Sequence, residues 1–179
     1  MPDHYYTQTP TSAHKPGQVD FLWRGAKLVF ETDSGVFSRT EIDKGTEILL
    51  NALPEELTGS LLDMGCGYGV IGVTLGKRYP GLSVVMSDVN ERAVELSRRN
   101  AQRNGVPARV MQSDGYADVP FQRMDWIVQN PPIRAGKSVI YAMFAEGARR
   151  LEPSGELWLV IRKQQGAESA VRYLKTLFG

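Results

Sequence analysis

With 179 residues, 42% hydrophobic and 23% charged side chains, the chain has the composition of one globular domain with room for a sizeable core. A net charge of +1 selects no class of partner, and the single cysteine excludes an internal disulfide and a cysteine metal cluster. No apolar run approaches the roughly 20 residues of a membrane span. No signal-peptide pattern opens the chain either, so a soluble, cytoplasmic protein with no membrane association is expected. The charge is uneven along the sequence. Residues 130–179 carry eight basic and four acidic side chains, whereas residues 1–58 carry five and nine. A basic C-terminal third suits a polyanion, and solvated helix faces give the same count.

Residues 1–18, with Pro2, Pro10 and Pro16, read as an extended, loosely held arm, and residues 19–179 as a single domain. His4 and His14 are the only histidines, and neither sits in a metal-ligand spacing, so no metal is expected. Val19–Thr32 reads as a hairpin turning at Arg24-Gly25-Ala26. Ser38 with Glu41 three residues on forms a capping box for a helix to about Ala52. From Leu61 onward strands and helices alternate. Strands are expected at 61–64, 82–87, 108–112, 124–129 and 156–161, the last entered through a turn at Pro153-Ser154-Gly155. Helices are expected after the first glycine turn to Arg78, from Glu91 to Asn104, from a Ser138 cap to about Leu151, and over 166–178. Near-continuous apolar strands alternating with helices predict an α/β fold: a mostly parallel, twisted, Rossmann-like sheet with helices on both faces and an N-terminal hairpin beside it.

Ligands of such sheets bind beyond the carboxyl ends of the strands. Here those ends carry Asp63 and Gly65, then Asp88 with Val89, then Asp114 with Gly115, then Asn130. The first end, Asp63-Met64-Gly65-Cys66-Gly67-Tyr68-Gly69-Val70-Ile71-Gly72, is a strand, a glycine turn and a helix start. Such a turn is expected to present unpaired N–H groups. Gly67–Gly72 spells G-x-G-x-x-G, the dinucleotide fingerprint, so a nicotinamide-dependent oxidoreductase is one reading. The acid at Asp63 is poorly placed for a pyrophosphate and suits a cationic group such as an α-amino group. With that acid the stretch resembles the cofactor motif of class I S-adenosylmethionine-dependent methyltransferases.

Asp88, 23 residues after Gly65, is placed to accept from ribose hydroxyls, or to serve as a first-turn helix acid. Asp114 is placed to accept from an adenine amine, or to form an Asx turn in Ser-Asp-Gly. Cys66 reads as a small residue lining the cofactor pocket. Asn130-Pro131-Pro132-Ile133 reads as the catalytic corner. Two prolines fix the backbone and remove donors, so the Asn130 amide oxygen and the Pro131 carbonyl can each hold one hydrogen of a target –NH₂. A rigid turn after a strand would give the same residues.

This corner resembles that of amino-methyltransferases acting on adenine N6, cytosine N4, guanine N2 or a glutamine amide. Taken with His4-Tyr5-Tyr6, Asp33-Ser34-Gly35-Val36-Phe37-Ser38, Asp63–Gly72, Asp88–Ala93 and Asn130–Lys137, the chain resembles the small-domain ribosomal RNA methyltransferases, a family that includes the 16S rRNA guanine-N2 enzymes. The resemblance implies S-adenosylmethionine, an RNA amine as acceptor, ribosomal RNA or a ribosomal subunit as partner, and a Gly35–Ser38 turn bordering the cofactor's methionine end. It also implies a seven-stranded sheet closed by an antiparallel pair. The sequence ends at Gly179, before such a pair. Ile133, Arg134 and Lys137 are the expected substrate-binding residues: Ile133 stands where such enzymes carry a base-stacking aromatic, which leaves stacking to Phe37 or Tyr141, while Arg134 and Lys137 are placed to meet phosphates.

Overall fold

Alternation of apolar side chains on both faces of each central strand is what organises the molecule, here a computed structural model describing residues 7–179. His4, Tyr5 and Tyr6, which carry part of the resemblance, lie outside the described residues. Five parallel strands form the main sheet in the order β5-β4-β3-β6-β7. They are β3 (Ser60–Met64), β4 (Ser83–Asp88), β5 (Ala108–Gln112), β6 (Met124–Gln129) and β7 (Leu151–Leu159). Leu61, Val84, Met86 and Val128 point into one core, which also buries the hairpin and the glycine turn. Leu62, Met64 and Ile127 point into the other, with Tyr116, Met143 and Leu151. A one-residue slip would exchange the two cores, which is why the register is firm.

The hairpin, β1 (Gly17–Trp23) and β2 (Ala26–Thr32), forms its own antiparallel sheet. Its open edge is closed by side chains rather than by a strand. On α3 (Glu91–Arg103), Asn100 accepts from the Glu31 N–H at 2.7 Å and donates to the Glu31 carbonyl at 2.9 Å. Asn104, the C-cap residue, does the same for Val29, at 3.0 and 2.9 Å. Asn100 also donates to the Tyr68 carbonyl at 2.8 Å, tying the hairpin to the glycine turn. Exposed edge groups would otherwise invite pairing with another chain.

Four sequence expectations change. The first helix, α1, is Lys44–Ala52 and is capped by Asp43, not Ser38. Ser38 has a left-handed φ of 53° and its hydroxyl donates to the Glu41 carbonyl, so no capping box forms there. Helix α4 (Lys137–Arg149) starts from Gly136, and Ser138 lies inside it. The last strand begins at Leu151 and passes through Pro153-Ser154-Gly155 instead of turning there. A register shift against β6 absorbs those residues, and Gly155 packs so close to the Met124 carbonyl that a side chain has no room. Finally, the seven strands implied by resemblance are a five-stranded sheet plus the separate hairpin among the described residues.

The remaining helices are α2 (Val70–Arg78) and α5 (Ala167–Phe178). From residue 7 onward the arm is tied down rather than loose. Gln8 accepts from the Glu91 N–H at 3.0 Å, Arg92 grips Ser12 and Ser34, and His14 pairs with Asp33. No helix among the described residues is long and apolar enough to cross a membrane. Nor do three His, Cys, Asp or Glu side chains among them gather where they could hold a metal.

Candidate active site

One cavity of about 400 Å³ lies at the carboxyl ends of β3, β4, β5 and β6. That is within the range of small-molecule sites. Gly65, Cys66 and Gly67 form its floor, Asp88 and Val89 one wall, Asp114 and Gly115 a second, and Asn130 and Pro132 the far wall. Phe37 borders the mouth and is 39% exposed. The sequence-predicted strand ends therefore converge on a single space.

The glycine turn works by a different principle from the one the sequence predicts. Gly65 and Gly67 hold left-handed φ values of 73 and 57°, which favour glycine. Their N–H groups do not face the cavity unpaired. Gly65 and Cys66 donate to the Ser87 carbonyl at 2.8 and 3.0 Å, Gly67 to Asp88 Oδ2 at 2.8 Å, and Gly69 to the Cys66 carbonyl at 2.9 Å. With those four donors paired, the glycine N–H groups themselves are not available to a pyrophosphate.

What surrounds the turn is negative. Asp63 is fully buried behind it. Its Oδ2 accepts from the Gly72 N–H at 2.8 Å, and its Oδ1 has no partner among the described residues. Burial is the main cause that raises its pKa to about 7, with the Asp88 charge adding to the rise. Asp88 accepts from Gly67 and Asn90 N–H groups, and burial raises its pKa to about 6 against the pull of those bonds. Two buried carboxylates competing with their own desolvation favour a cationic occupant. Asp63 itself does not line the cavity, so a direct contact with a ligand amino group is replaced by a field acting through the turn. Burial also pushes the Cys66 thiol up, which removes it as a nucleophile.

At the third strand end Ser113, not Asp114, makes the turn's side-chain bond, accepting from the Asp118 N–H at 2.9 Å. Asp114 is left exposed on the cavity wall.

Asn130 is held from outside its own loop. Its Nδ2 donates to Asp43 Oδ2 at 3.1 Å and to Thr46 Oγ1 at 3.0 Å. Oδ1 has no partner among the described residues. No motif in the sequence singles out Asp43 or Thr46. The available signal was Asp43-x-x-Thr46 ahead of an apolar stripe, a helix-start pattern masked by Gly45. The Pro131 carbonyl is not wholly free, because it accepts from the Ile133 N–H at 2.9 Å. A second lone pair remains. Pro131 is buried and does not line the cavity.

The substrate-side expectations divide. A short 3₁₀ turn over Ile133–Ala135 swings Ile133 against the cluster between α4 and α5, away from the cavity. Tyr141 lies there too, stacked on Tyr173 with ring centroids 4.4 Å apart and bonded to Ser169, so it is committed to packing. Arg134 and Lys137 are exposed beside the corner, the latter over the Tyr141 ring at 5.6 Å.

Residues 27–179 match the methyltransferase small domain family, which is most of the chain. The chain belongs to that family. An uncharacterised Bacillus subtilis protein, YbxB, is 45% identical over 181 residues, covering 99% of this chain and 90% of that one. Ribosomal RNA small subunit methyltransferase C of Hahella chejuensis is 42% identical over 170 residues, covering 88% of this chain and 49% of that one. The T. thermophilus 16S rRNA N2-guanine methyltransferase RsmC, solved with AdoMet and guanosine, superposes with a TM-score of 0.80 at 28% identity. The match covers 93% of this chain and 46% of that chain. The chain thus spans about half the length of the ribosomal RNA methyltransferases it matches. Membership in a methyltransferase family displaces the oxidoreductase reading of Gly67–Gly72.

Proposed function

We propose that this S-adenosylmethionine-dependent methyltransferase acts on an exocyclic amine of an RNA base, most specifically guanine N2 of ribosomal RNA. The carrying observation is the cavity with a cation-favouring turn at one end and an unpartnered, oriented amide oxygen, Asn130 Oδ1, at the other. S-adenosylmethionine supplies a methyl group on a cationic sulfur. Its cationic character fits the acceptor-rich turn, and the remaining steps belong to the chain.

Asp88 is the residue to hold ribose hydroxyls, with Gly65, Cys66, Gly67, Gly69 and Val89 shaping the bed and Asp114 with Gly115 beside the adenine. Asp63 fixes the start of α2 beneath them. Asn130 Oδ1 accepts a hydrogen of the target amine. An aromatic amine is a weak nucleophile because its lone pair is delocalised into the ring. An oriented acceptor gripping its hydrogen helps turn that lone pair out of the ring plane and toward the glycine turn. Pro131, buried behind the lining, and Pro132 keep the corner that carries this acceptor fixed. Alignment and electrostatics carry the rate, and no strong base is required because the proton leaves to solvent water after charge has developed on the nitrogen. Phe37, exposed at the mouth, is the stacking surface for the base, a role Ile133 and Tyr141 cannot take where they lie. Arg134 and Lys137 meet phosphates.

The test is nucleoside mass spectrometry of ribosomal RNA and of assembled subunits, each incubated with the protein and isotope-labelled S-adenosylmethionine. Labelled N2-methylguanosine is the expected product. Label in another base amine would correct the acceptor, and label found only in a protein glutamine amide would overturn the RNA assignment.

A further inference from the structure

We propose that Asp43, the N-cap of α1, and Thr46, in its first turn, are positioning residues that set the amide orientation of Asn130. The inference rests on the methyl-transfer reading of the Asn130 corner. An asparagine amide has two faces that are nearly identical in shape and opposite in chemistry. Turned one way it offers an acceptor to the target amine. Turned the other way it offers two donors to a group that is itself a donor, and the amine is repelled. Neither the Pro-Pro backbone nor the end of β6 distinguishes these two states.

The α1 N-terminus does. Asp43 is a carboxylate with no donor, so only the –NH₂ side of Asn130 can face it. The geometry agrees, with Nδ2 3.1 Å from Asp43 Oδ2 and 3.0 Å from Thr46 Oγ1. Both hydrogens of the amide nitrogen are thereby used, and Oδ1 is the atom left over. Asp43 is itself immobilised. Its Oδ2 also accepts from the Thr46 N–H at 3.0 Å as the helix cap, and its backbone carbonyl accepts from the Glu47 N–H at 3.0 Å. Its Oδ1 lies 3.6 Å from Arg162 Nη2. A helix cap thus doubles as the fixture for a residue 87 positions later in the chain.

Because one oxygen, Oδ2, serves both the cap and Asn130, three variants separate positioning from folding. Asp43→Asn can keep an oxygen in that place and turn its own –NH₂ away. Asp43→Ser keeps the cap, since serine is as good a capping residue as aspartate, but is too short to reach Asn130. Thr46→Val removes the second acceptor at constant shape. We expect the D43S/T46V double variant to lose about 10- to 100-fold in kcat, with KM for RNA, cofactor affinity and melting temperature close to those of the wild type. D43N should recover most of kcat. Hydrogen exchange of the Asn130 side-chain amide, followed by NMR in the ligand-free protein, should be slowed in wild type and D43N and fast in the double variant.

Wild-type kcat in D43S/T46V, or unchanged amide exchange, would overturn the proposal. A parallel fall in stability and cofactor binding would also overturn it, by making Asp43 a helix cap and nothing more. Failure of the functional reading looks different. There the wild type methylates no RNA, while the amide exchange still reports whether α1 holds Asn130.

Discussion

The two ends of the cavity are built in opposite ways. The glycine-turn end is local: Asp63 reaches Gly72 nine residues on, and Gly67 reaches Asp88 across 21. The Gly65, Cys66, Gly67 and Gly69 N–H groups are internally satisfied and its charge is buried beneath it. The Asn130 end is assembled over 84 and 87 residues, from the cap of one helix and the exit of a strand that the chain reaches much later. A local, self-satisfied end is suited to a ligand that every member of a family would share. An end whose orientation comes from a distant helix is suited to an acceptor, because it can change without disturbing the bed beside it.

The sharpest way to break that contrast is Asn130→Ala. Loss of a group that acts only as charge develops should lower single-turnover transfer by about 10³-fold, or roughly 4 kcal/mol of barrier. Cofactor affinity by calorimetry should move by less than about twofold. Equal losses in both would mean the two ends are one unit. The complementary change is Asp88→Ala, which leaves the Gly67 and Asn90 N–H groups without their acceptor. We expect cofactor affinity to fall about 100-fold while kcat at saturating cofactor keeps most of its value.

A third change asks how far the turn depends on its surroundings. Asn100→Ala removes three bonds at once, to both Glu31 backbone groups and to the Tyr68 carbonyl. Buried backbone groups left unpaired cost about 2 kcal/mol or more, read as a lower urea midpoint, with weaker cofactor binding following from the loosened turn.

Acidity sharpens the contrast further. Asp63 and Asp88 titrate near 7 and 6 in the folded protein, raised from 3.8 by burial. The unfolded chain gives up these protons near pH 4 and the folded chain holds them to pH 6–7. Their contribution is therefore most favourable below about pH 4 and is lost as pH rises toward 7. A cationic ligand prefers the ionised pair, so cofactor affinity should run the other way, tightening about tenfold between pH 5.5 and 7.5. Asp63→Asn should flatten both slopes. A flat profile in the wild type would remove the buried carboxylates from the account of binding.

The same contrast explains what could be read from the sequence. Gly65, Gly67, Asp88, Asp114 and Asn130 each sit where an apolar strand run stops, so their convergence followed from strand ends alone. Asp43 and Thr46 left no such mark, because their role exists only once α1 crosses the end of β6. Ser38 drew the helix start instead: it matches the Ser-x-x-Glu pattern, yet its left-handed backbone makes the cap impossible. Pro153-Ser154-Gly155 spelled a turn that pairing with β6 turned into a strand irregularity. Ile133 was assigned to substrate by its place in a motif, and one 3₁₀ turn rotated it into the α4–α5 cluster. In each case local spelling lost to a long-range contact.

The smallest expected effect concerns the mouth. Phe37 is a large apolar side chain that stays 39% exposed on a cavity wall, in a segment held by bonds from Asn90 to the Gly35 carbonyl and from Tyr68 to the Ser38 carbonyl. Its backbone is anchored on both sides at the border of the cavity, which suits a side chain placed to meet an incoming base. Stacking of a base on an aromatic ring contributes about 1–3 kcal/mol. An exposed edge position belongs at the lower limit, so Phe37→Ala should raise KM for RNA about fivefold with cofactor affinity unchanged. Phe37→Trp should restore it, because stacking needs the ring face, whereas Phe37→Leu should not, although it restores apolar area. Rescue by leucine would make Phe37 a hydrophobic cover for the cavity and leave the base to be held by Asn130 alone.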